Sequence, residues 1–413
     1  MQAETIQLNP LREIASSVLE QIPRSARGLD YHVKLGVMIE ELDDQQRAEL
    51  SEILEQFLLL MNRNEASDID LGGPGCRNRI WYRIHGVKSP VKIETELSVG
   101  ETDVLLHNIL TSSQREVLKT HKNVDFSYGI TLEDNREQRY RADMYFDLEH
   151  LALNMRKIDS IIRPFKELGT HPEIAKALSL KYYKYGLTLV TGITGSGKSS
   201  TLDTIIDANN RTVDAHIVII ASPVELIHQP IRSVIRHREV GRDVPGFKEG
   251  AIQALRQDPD IIVIGELRDP DTIMTALEIT DSGHKTFGTL HTSSAMESIE
   301  RIVGEVPSDE QNRVKSRLAD VLTCVISQKL VPSLDGKRTL AKEVLLVTSS
   351  VKAAIRNDNV NEIYQMMAEG SDLGMMTMEQ DLKRLYNTGQ ISREEAINNA
   401  NNKKRLLQLL DEA

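Results

Sequence analysis

Cysteine is nearly absent from this chain. Its two cysteines, Cys76 and Cys324, stand far apart and form no CxxC pair. That argues against a disulfide framework and a cysteine-based zinc site, and for reduced, intracellular thiols. Aromatic residues are also scarce, at 4% of 413 residues, so a core has to be built from Leu, Ile, Val, Ala and Met. Long apolar runs are missing. Stretches such as Phe57–Met61 and Ile261–Ile264 fall far short of the ~20 residues that span a bilayer. The opening MQAETIQLNP lacks a basic stretch followed by an apolar one, so no signal peptide is expected. A basic excess is missing too. Sixty-one acidic against fifty basic residues leave a net charge of −11, the opposite of the balance common in nucleic-acid-binding chains. The expectation is a cytoplasmic protein with no nucleic-acid partner, which meets a membrane only through other proteins.

What is present is an ordinary globular balance, 40% apolar and 27% charged, in a chain long enough for two or three domains. Residues 1–45 are charged, lack strand patterns and are set apart as an N-terminal extension. Residues 46–160 read as a small α+β domain. Leu50–Met61 has helical apolar spacing, Ala66–Leu71 and Arg79–Gly86 alternate, and Asp125–Phe126 and Arg139–Phe146 read as further strands. From 161 to 413 the pattern changes. A helical stretch from Pro164 to Tyr185, with a turn at Gly169–Pro172, leads into four short β-rich runs, Leu187–Thr191, Ile217–Ile220, Ile261–Ile264 and Thr286–Leu290. Helical stretches such as Ser200–Asn209 and Asp271–Asp281 separate most of them. Buried parallel strands alternating with helices predict a doubly wound α/β domain. Beyond about residue 300 the sequence reads as mostly helical.

Gly192–Ser199 spells GITGSGKS and fits the phosphate-loop pattern GxxxxGK[ST], after a strand and at the start of a helix. Glycines there let backbone N–H groups turn inward around phosphates, and the helix start adds a favourable dipole. Gly192, Thr194, Gly195, Ser196, Gly197, Lys198, Ser199 and Ser200 are therefore the expected nucleotide-binding residues. Lys198 is expected to neutralise the β- and γ-phosphates, and Ser199 to bind Mg²⁺ through its hydroxyl. ATP with Mg²⁺ is the expected ligand.

Such a loop needs an acid at the end of another central strand. Glu266 follows the run Ile261–Ile264 and fits that place and a share in the Mg²⁺ shell; the alternative is a surface acid paired with Arg268. Glu225, five residues after the run Ile217–Ile220, is either close to the γ-phosphate or a solvated loop acid. His284 and His291 bracket the strand TFGTL. Each is either structural or, as at the carboxyl strand end for His291, a hydrogen-bonding sensor of the γ-phosphate.

The order and spacing of several segments carry a resemblance. ASDIDL at 66–71, RYR at 139–141, GITGSGKS at 192–199, HREVGRD at 237–243 and ALRQDPDIIVIGELRDPDT at 254–272 are joined by GHKTFGTLHTSSA at 283–295, ISQKLVPS at 326–333 and GMMTMEQDL at 374–382. Together they resemble the secretion ATPase superfamily that drives type IV pili and type II secretion, and most closely its PilT-type retraction branch. The resemblance implies a homohexameric ring, with a PAS-like N-terminal domain, a RecA-like C-terminal domain, and ATP between them near the neighbouring subunit. It implies that Lys198 and Ser199 are the Walker A pair, that Glu266 is the Walker B acid, and that His284 and His291 form the His box. Arg139 and Arg141 then match an arginine strand that reaches nucleotide phosphates. The implied partners are an inner-membrane pilus platform protein and a second retraction-type ATPase. Pilus assembly, protein secretion and a hydrolysis-poor regulatory subunit remain alternatives. Two departures bear on them. The family's Asp box, Glu-Asp-Pro-[Ile/Val]-Glu, here reads Ala221-Ser222-Pro223-Val224-Glu225, and the retraction-linked AIRNLIRE keeps only AIRN, at 354–357.

Overall fold

The structure is a computed structural model that describes residues 6–91, 96–132, 137–158 and 161–411. The chain divides into two compact units. One comprises the described residues of Met1–Ser160 with Ser222–Leu226, the other Ile161–Ala221 with Ile227–Ala413. Residues 1–5 of the expected extension, and residues 159 and 160 at the expected domain boundary, lie outside the described residues.

The first unit is built on an antiparallel six-stranded sheet in the order β3-β2-β1-β6-β5-β4. Its strands are β1 (Ala66–Gly72), β2 (Trp81–Ile84), β3 (Val87–Pro90), β4 (Asn123–Thr131), β5 (Glu137–Asp147) and β6 (His150–Lys157). Alternation decides which face is buried: on β5, Gln138, Tyr140, Ala142 and Met144 are buried and the residues between them are not. The helices are α1 (Asn9–Glu20), α2 (Gly28–Glu40), α3 (Asp44–Arg63), α4 (Val99–Asn108) and α5 (Ser112–His121). A capping box of Asp43 and Gln46 starts α3. Helices α1 and α2 fall in the segment set apart as an extension, yet Leu11, Ile14, Leu35 and Ile39 lie in one core with Phe57, Ile69 and Tyr140. The charged composition of residues 1–45 conceals an amphipathic stripe, Leu11, Ile14, Ala15 and Val18, at helical spacing.

The second unit holds a seven-stranded sheet in the order β13-β12-β7-β11-β10-β8-β9, parallel except for β13. The strands are β7 (Gly186–Thr191), β8 (His216–Ala221), β9 (Val234–Glu239), β10 (Ile261–Ile264), β11 (Lys285–Leu290), β12 (Leu322–Pro332) and β13 (Arg338–Leu346). Every residue of β7, β10 and β11 is buried, as expected for parallel strands covered on both faces. The helices are α6 (Pro172–Leu178), α7 (Lys198–Thr212), α8 (Phe247–Ala254), α9 (Pro270–Asp281), α10 (Ala295–Gly304), α11 (Gln311–Val321), α12 (Ser349–Arg356), α13 (Glu362–Glu369), α14 (Met378–Asn387), α15 (Arg393–Asn399) and α16 (Lys403–Asp411). Helices α14 to α16 share a small separate core with Val331 of β12 and Ala341 of β13. The class is α/β, with a mixed sheet.

Two sequence expectations need correction. The stretch Pro164–Tyr185 is helical at Phe165–Leu168 and Pro172–Leu178, on either side of the expected turn, but not beyond Leu178. The region after 300 also contains the long hairpin β12–β13. Polar residues hide that hairpin: Ser327 and Gln328 are buried inside β12, and Lys342 and Glu343 interrupt β13. Among the described residues no helix is long and apolar enough to cross a membrane.

Candidate nucleotide site

Strand β7 ends at Thr191, a glycine-rich loop follows, and α7 begins at Lys198. Gly192, Gly195 and Gly197 have φ of +149°, +78° and +88°, a region that glycine alone enters without strain. A Cβ at Gly192 would also run into the Ser196 hydroxyl and the Gln328 carbonyl oxygen. The loop is therefore wrapped tightly enough to present its backbone, and Thr194, Gly195, Ser199 and Ser200 are exposed. Lys198 Nζ donates to the carbonyl oxygens of Gly192 at 2.8 Å and Ile193 at 3.2 Å. Burial lowers its pKa, and the charge of Glu266 works against that shift.

The loop rests on β12. Thr191 Oγ1 donates to Ser327 Oγ at 2.8 Å, and Gln328 Nε2 donates to the Ser196 carbonyl at 2.8 Å. Neither residue stands out by sequence reasoning. The only signal is a Ser-Gln pair inside an apolar strand.

The carboxyl ends of the neighbouring strands position the acid. Gly265 N donates to Ile220 O at 2.8 Å, Leu267 N to Thr289 O at 2.9 Å, and Thr289 Oγ1 to Gly265 O at 2.5 Å. Glu266, held between these bonds, has His291 beside it, with Nε2 3.4 Å from Oε1. The pKa of His291 lies below the usual histidine value. Burial is the main cause, the positive charges of Lys198, Arg301 and Arg268 add to it, and Glu266 opposes it. The structure thus brings Gly192–Ser200, Glu266 and His291 to one end of the sheet.

It does not bring His284 there. His284 precedes β11 at its opposite end, where its Nδ1 lies 3.0 Å from Ser282 Oγ and its carbonyl accepts from Gly186 N. Six residues of strand separate it from His291, about 20 Å at the rise of a β-strand. Arg139, Arg141 and Glu225 belong to the first unit. Arg139 donates to Val224 O at 3.3 Å, to Glu137 Oε1 at 3.1 Å and to Ser127 Oγ at 2.5 Å. Arg141 is half exposed, 3.9 Å from Asp125.

Beside the loop the second unit holds a cavity of about 1430 Å³. Gly197, Ser200 and Thr201 line it on the loop side, and Arg163, Lys337 and Arg338 give it basic character. It exceeds the ~300–1,000 Å³ of ordinary small-molecule pockets and has room for a nucleoside. A tightly wound glycine-rich loop, a lysine, exposed hydroxyls at a helix start and a carboxylate beside a neutral imidazole fit a nucleoside triphosphate with its Mg²⁺.

The sequence profile of the type II/IV secretion system protein family matches residues 43–408. The chain belongs to that family. Its likeness is to the PilT-type members. It is 38% identical over 296 residues to the type IV pilus retraction ATPase PilT of Pseudomonas aeruginosa, covering 72% of this chain and 84% of that one. It is 33% identical over 349 residues to the type IV pilus ATPase PilU of the same organism, covering 84% of this chain and 88% of that one. The crystal structure of the pilus retraction motor PilT with bound ADP superposes with a TM-score of 0.75 at 34% identity, covering 87% of this chain and 98% of that one. Residues 1–42, which contain α1 and α2, lie outside the family match.

Proposed function

We propose that this chain is an ATPase motor subunit that couples ATP hydrolysis to type IV pilus retraction. It would work as a homohexameric ring on the cytoplasmic side of the inner membrane, through a pilus platform protein and alongside a second retraction-type ATPase. The carrying observation is the Glu266–His291 pair beside the Lys198 loop, in a chain so similar to PilT.

The loop N–H groups and Lys198 would bind the β- and γ-phosphates, and the cavity beside Ser200 and Thr201 the nucleoside. Ser199 and Glu266 would hold Mg²⁺, which supplies positive charge against the phosphate oxygens when bound. Glu266 orients the attacking water by accepting its hydrogen bond. His291, kept neutral, hydrogen-bonds near the γ-phosphate. In this reading the second unit is RecA-like, residues 46–160 of the first are PAS-like, and Arg139 and Arg141 reach nucleotide phosphates as arginine fingers.

Ala221 and Ser222 favour a second reading, a hydrolysis-poor subunit that co-assembles with an active motor, because the family's acids are missing there. Steady-state phosphate release separates the two. No turnover by the purified protein above a Lys198→Ala control sinks the motor reading. Direction is decided in a deletion strain: excess surface pili without twitching mean retraction, and absent pili mean assembly.

A further inference from the structure

The carboxyl group of Glu343 on β13 is buried, and two helices begin on it. Its Oε1 accepts the N–H of Ala295 at 2.7 Å, and the carboxylate also accepts the backbone N–H of Met378. Ala295 is the first residue of α10 and Met378 the first of α14. Free N–H groups and positive dipole ends at both helix starts favour the ionised form.

Helix α10 begins four residues after His291, and the intervening loop is pinned to it. Thr292 Oγ1 lies 2.6 Å from Ser298 Oγ, Ser293 N donates to Glu297 Oε2 at 2.6 Å, and Ser294 caps the helix through Glu297 N. The start of α10 therefore decides where His291 stands. On its other side Glu343 faces Glu379 of α14 and Lys329 of β12. Glu379 accepts from Tyr364 Oη at 3.0 Å and Asn402 N at 2.7 Å, and Lys329 Nζ donates to Asn399 O and Asn401 Oδ1, each at 2.7 Å. Asn401 returns to the loop, donating to Ser293 O at 3.2 Å.

We infer that Glu343 is a positioning residue for the nucleotide site: it fixes the start of α10, and with it His291, to the C-terminal helices α14 to α16. The inference rests on the ATPase reading above. The holding form is the carboxylate, because protonation converts one accepting oxygen into a donor that faces an N–H group. Burial raises this carboxyl to about 7, the charge of Glu379 adds to the shift, and the two N–H bonds and Lys329 oppose it. His291 is therefore held firmly above neutrality and loosened as pH falls through about 7. Global stability moves the other way. The folded state binds more protons than the unfolded one between the ordinary glutamate value and about 7, so this group's contribution falls as pH rises through that window. Local order and global stability with opposite pH dependence distinguish positioning from a plain structural role.

The test is amide hydrogen exchange over residues 291–298 of the full chain at pH 6 and pH 8, corrected for intrinsic rates, together with ATP turnover. In the wild type, protection of 291–298 is expected to be about tenfold higher at pH 8, the change that one proton allows over a pH unit. Glu343→Gln should give the lower protection at both pH values and leave α7 unchanged. Its kcat should fall by about tenfold to a hundredfold at similar KM, the scale of a misplaced catalytic group, and the limb near pH 7 should disappear. Ala295→Pro provides a second route should Glu343→Gln fold poorly. It removes the N–H that Glu343 accepts, at a first helical position where proline is tolerated and after an extended Ser294. Wild-type exchange and pH profile in either folded variant overturn the inference. A wild type without turnover overturns the ATPase reading instead, and the exchange data still decide the role of Glu343.

Discussion

His291 Nε2 stands 3.4 Å from Glu266 Oε1, and the two residues follow the carboxyl ends of adjacent parallel strands. Glu266 is the one group that raises the His291 pKa against burial and three cations. In Glu266→Gln, His291 should therefore titrate at lower pH than in the wild type, which NMR of the ring Cε1–H reads directly. An unmoved or raised His291 pKa means that the pair does not interact in solution.

Lys198→Ala and Glu266→Gln should both abolish turnover, by different routes. Lys198 lies against the loop carbonyls of Gly192 and Ile193, so its loss removes charge from the phosphate cradle and weakens nucleotide binding as well. Glu266→Gln keeps the cradle and removes the acid, and should bind nucleotide while losing turnover by ~10²-fold or more. Fluorescent-nucleotide titration alongside phosphate release separates them. Near-normal turnover in Glu266→Gln would assign the chemistry to another acid.

The sequence made legible what depends on local chemistry. The loop glycines are demanded by backbone angles at Gly192, Gly195 and Gly197, and the all-buried strands β7, β10 and β11 read as apolar runs. What it concealed depends on partners distant in sequence. Gln328 looks like a polar break in a strand until its amide is seen on the Ser196 carbonyl 132 residues away. Glu343 looks like a surface acid on an edge strand until the starts of α10 and α14 meet on it. His284 and His291 are seven positions apart in sequence but at opposite ends of a strand. The N-terminal helices were hidden because their apolar stripe is diluted by charge, and only its spacing reveals that it packs against α3 and α4.

Lys285 is buried completely at the start of β11. Its ammonium donates to Ala177 O at 2.7 Å and lies 5.4 Å from the Phe287 ring centroid. Burial pushes its pKa down to about 8. The unfolded chain, with an ordinary lysine near ~10.4, binds more protons between the two values, so stability should rise with pH across that window. Lys285→Met should be more stable at pH 7 by ~1–3 kcal/mol and should lack this rise. Thermal melts at pH 7 and 9 check both. A lower melting temperature for the variant means that the carbonyl bond and the ring contact outweigh desolvation.

His32 of α2 holds a tautomer that its neighbours impose. Its Nε2 faces the Glu149 carbonyl at 2.7 Å and must carry the proton, so its Nδ1 accepts from His107 Nε2 at 3.0 Å. His107 Nδ1 is then deprotonated and buried with no hydrogen-bond partner among the described residues. A proton added to either ring creates opposed N–H groups or a buried N–H without an acceptor. Burial lowers both pKa values, so the unfolded state takes up protons first as pH falls below ~6.5. Stability of the first unit should drop below that pH, by up to ~1.4 kcal/mol per pH unit for each ring. His107→Leu should be less stable near neutrality, because His32 Nδ1 loses its donor, but should show a shallower pH dependence between 5 and 7. An unchanged slope rules out this pair as the cause.

Ala221 ends β8 next to the acid-bearing turn. The Ile220 carbonyl accepts Gly265 N at 2.8 Å, and a Cβ at Gly265 would stand 3.2 Å from the Ala221 Cα. A carboxylate at 221 would therefore arise beside Glu266, in the place of the first acid of the family's Asp box. General-base assistance is worth ~10²–10⁴-fold, so if that acid activates water, Ala221→Glu should raise kcat by at least about tenfold. Ala221→Gln, of similar size and no charge, should not. Two neighbouring carboxylates raise one another's pKa, so the gain should be largest on the alkaline side and is best measured from pH 6 to 9. A rise in Ala221→Glu alone shows a cradle held below full speed by one missing acid, as a subunit working beside a faster partner would be. Equal rates in all three proteins show that Glu266 or Glu225 already orients the water, and that the motor is complete without the acid at 221.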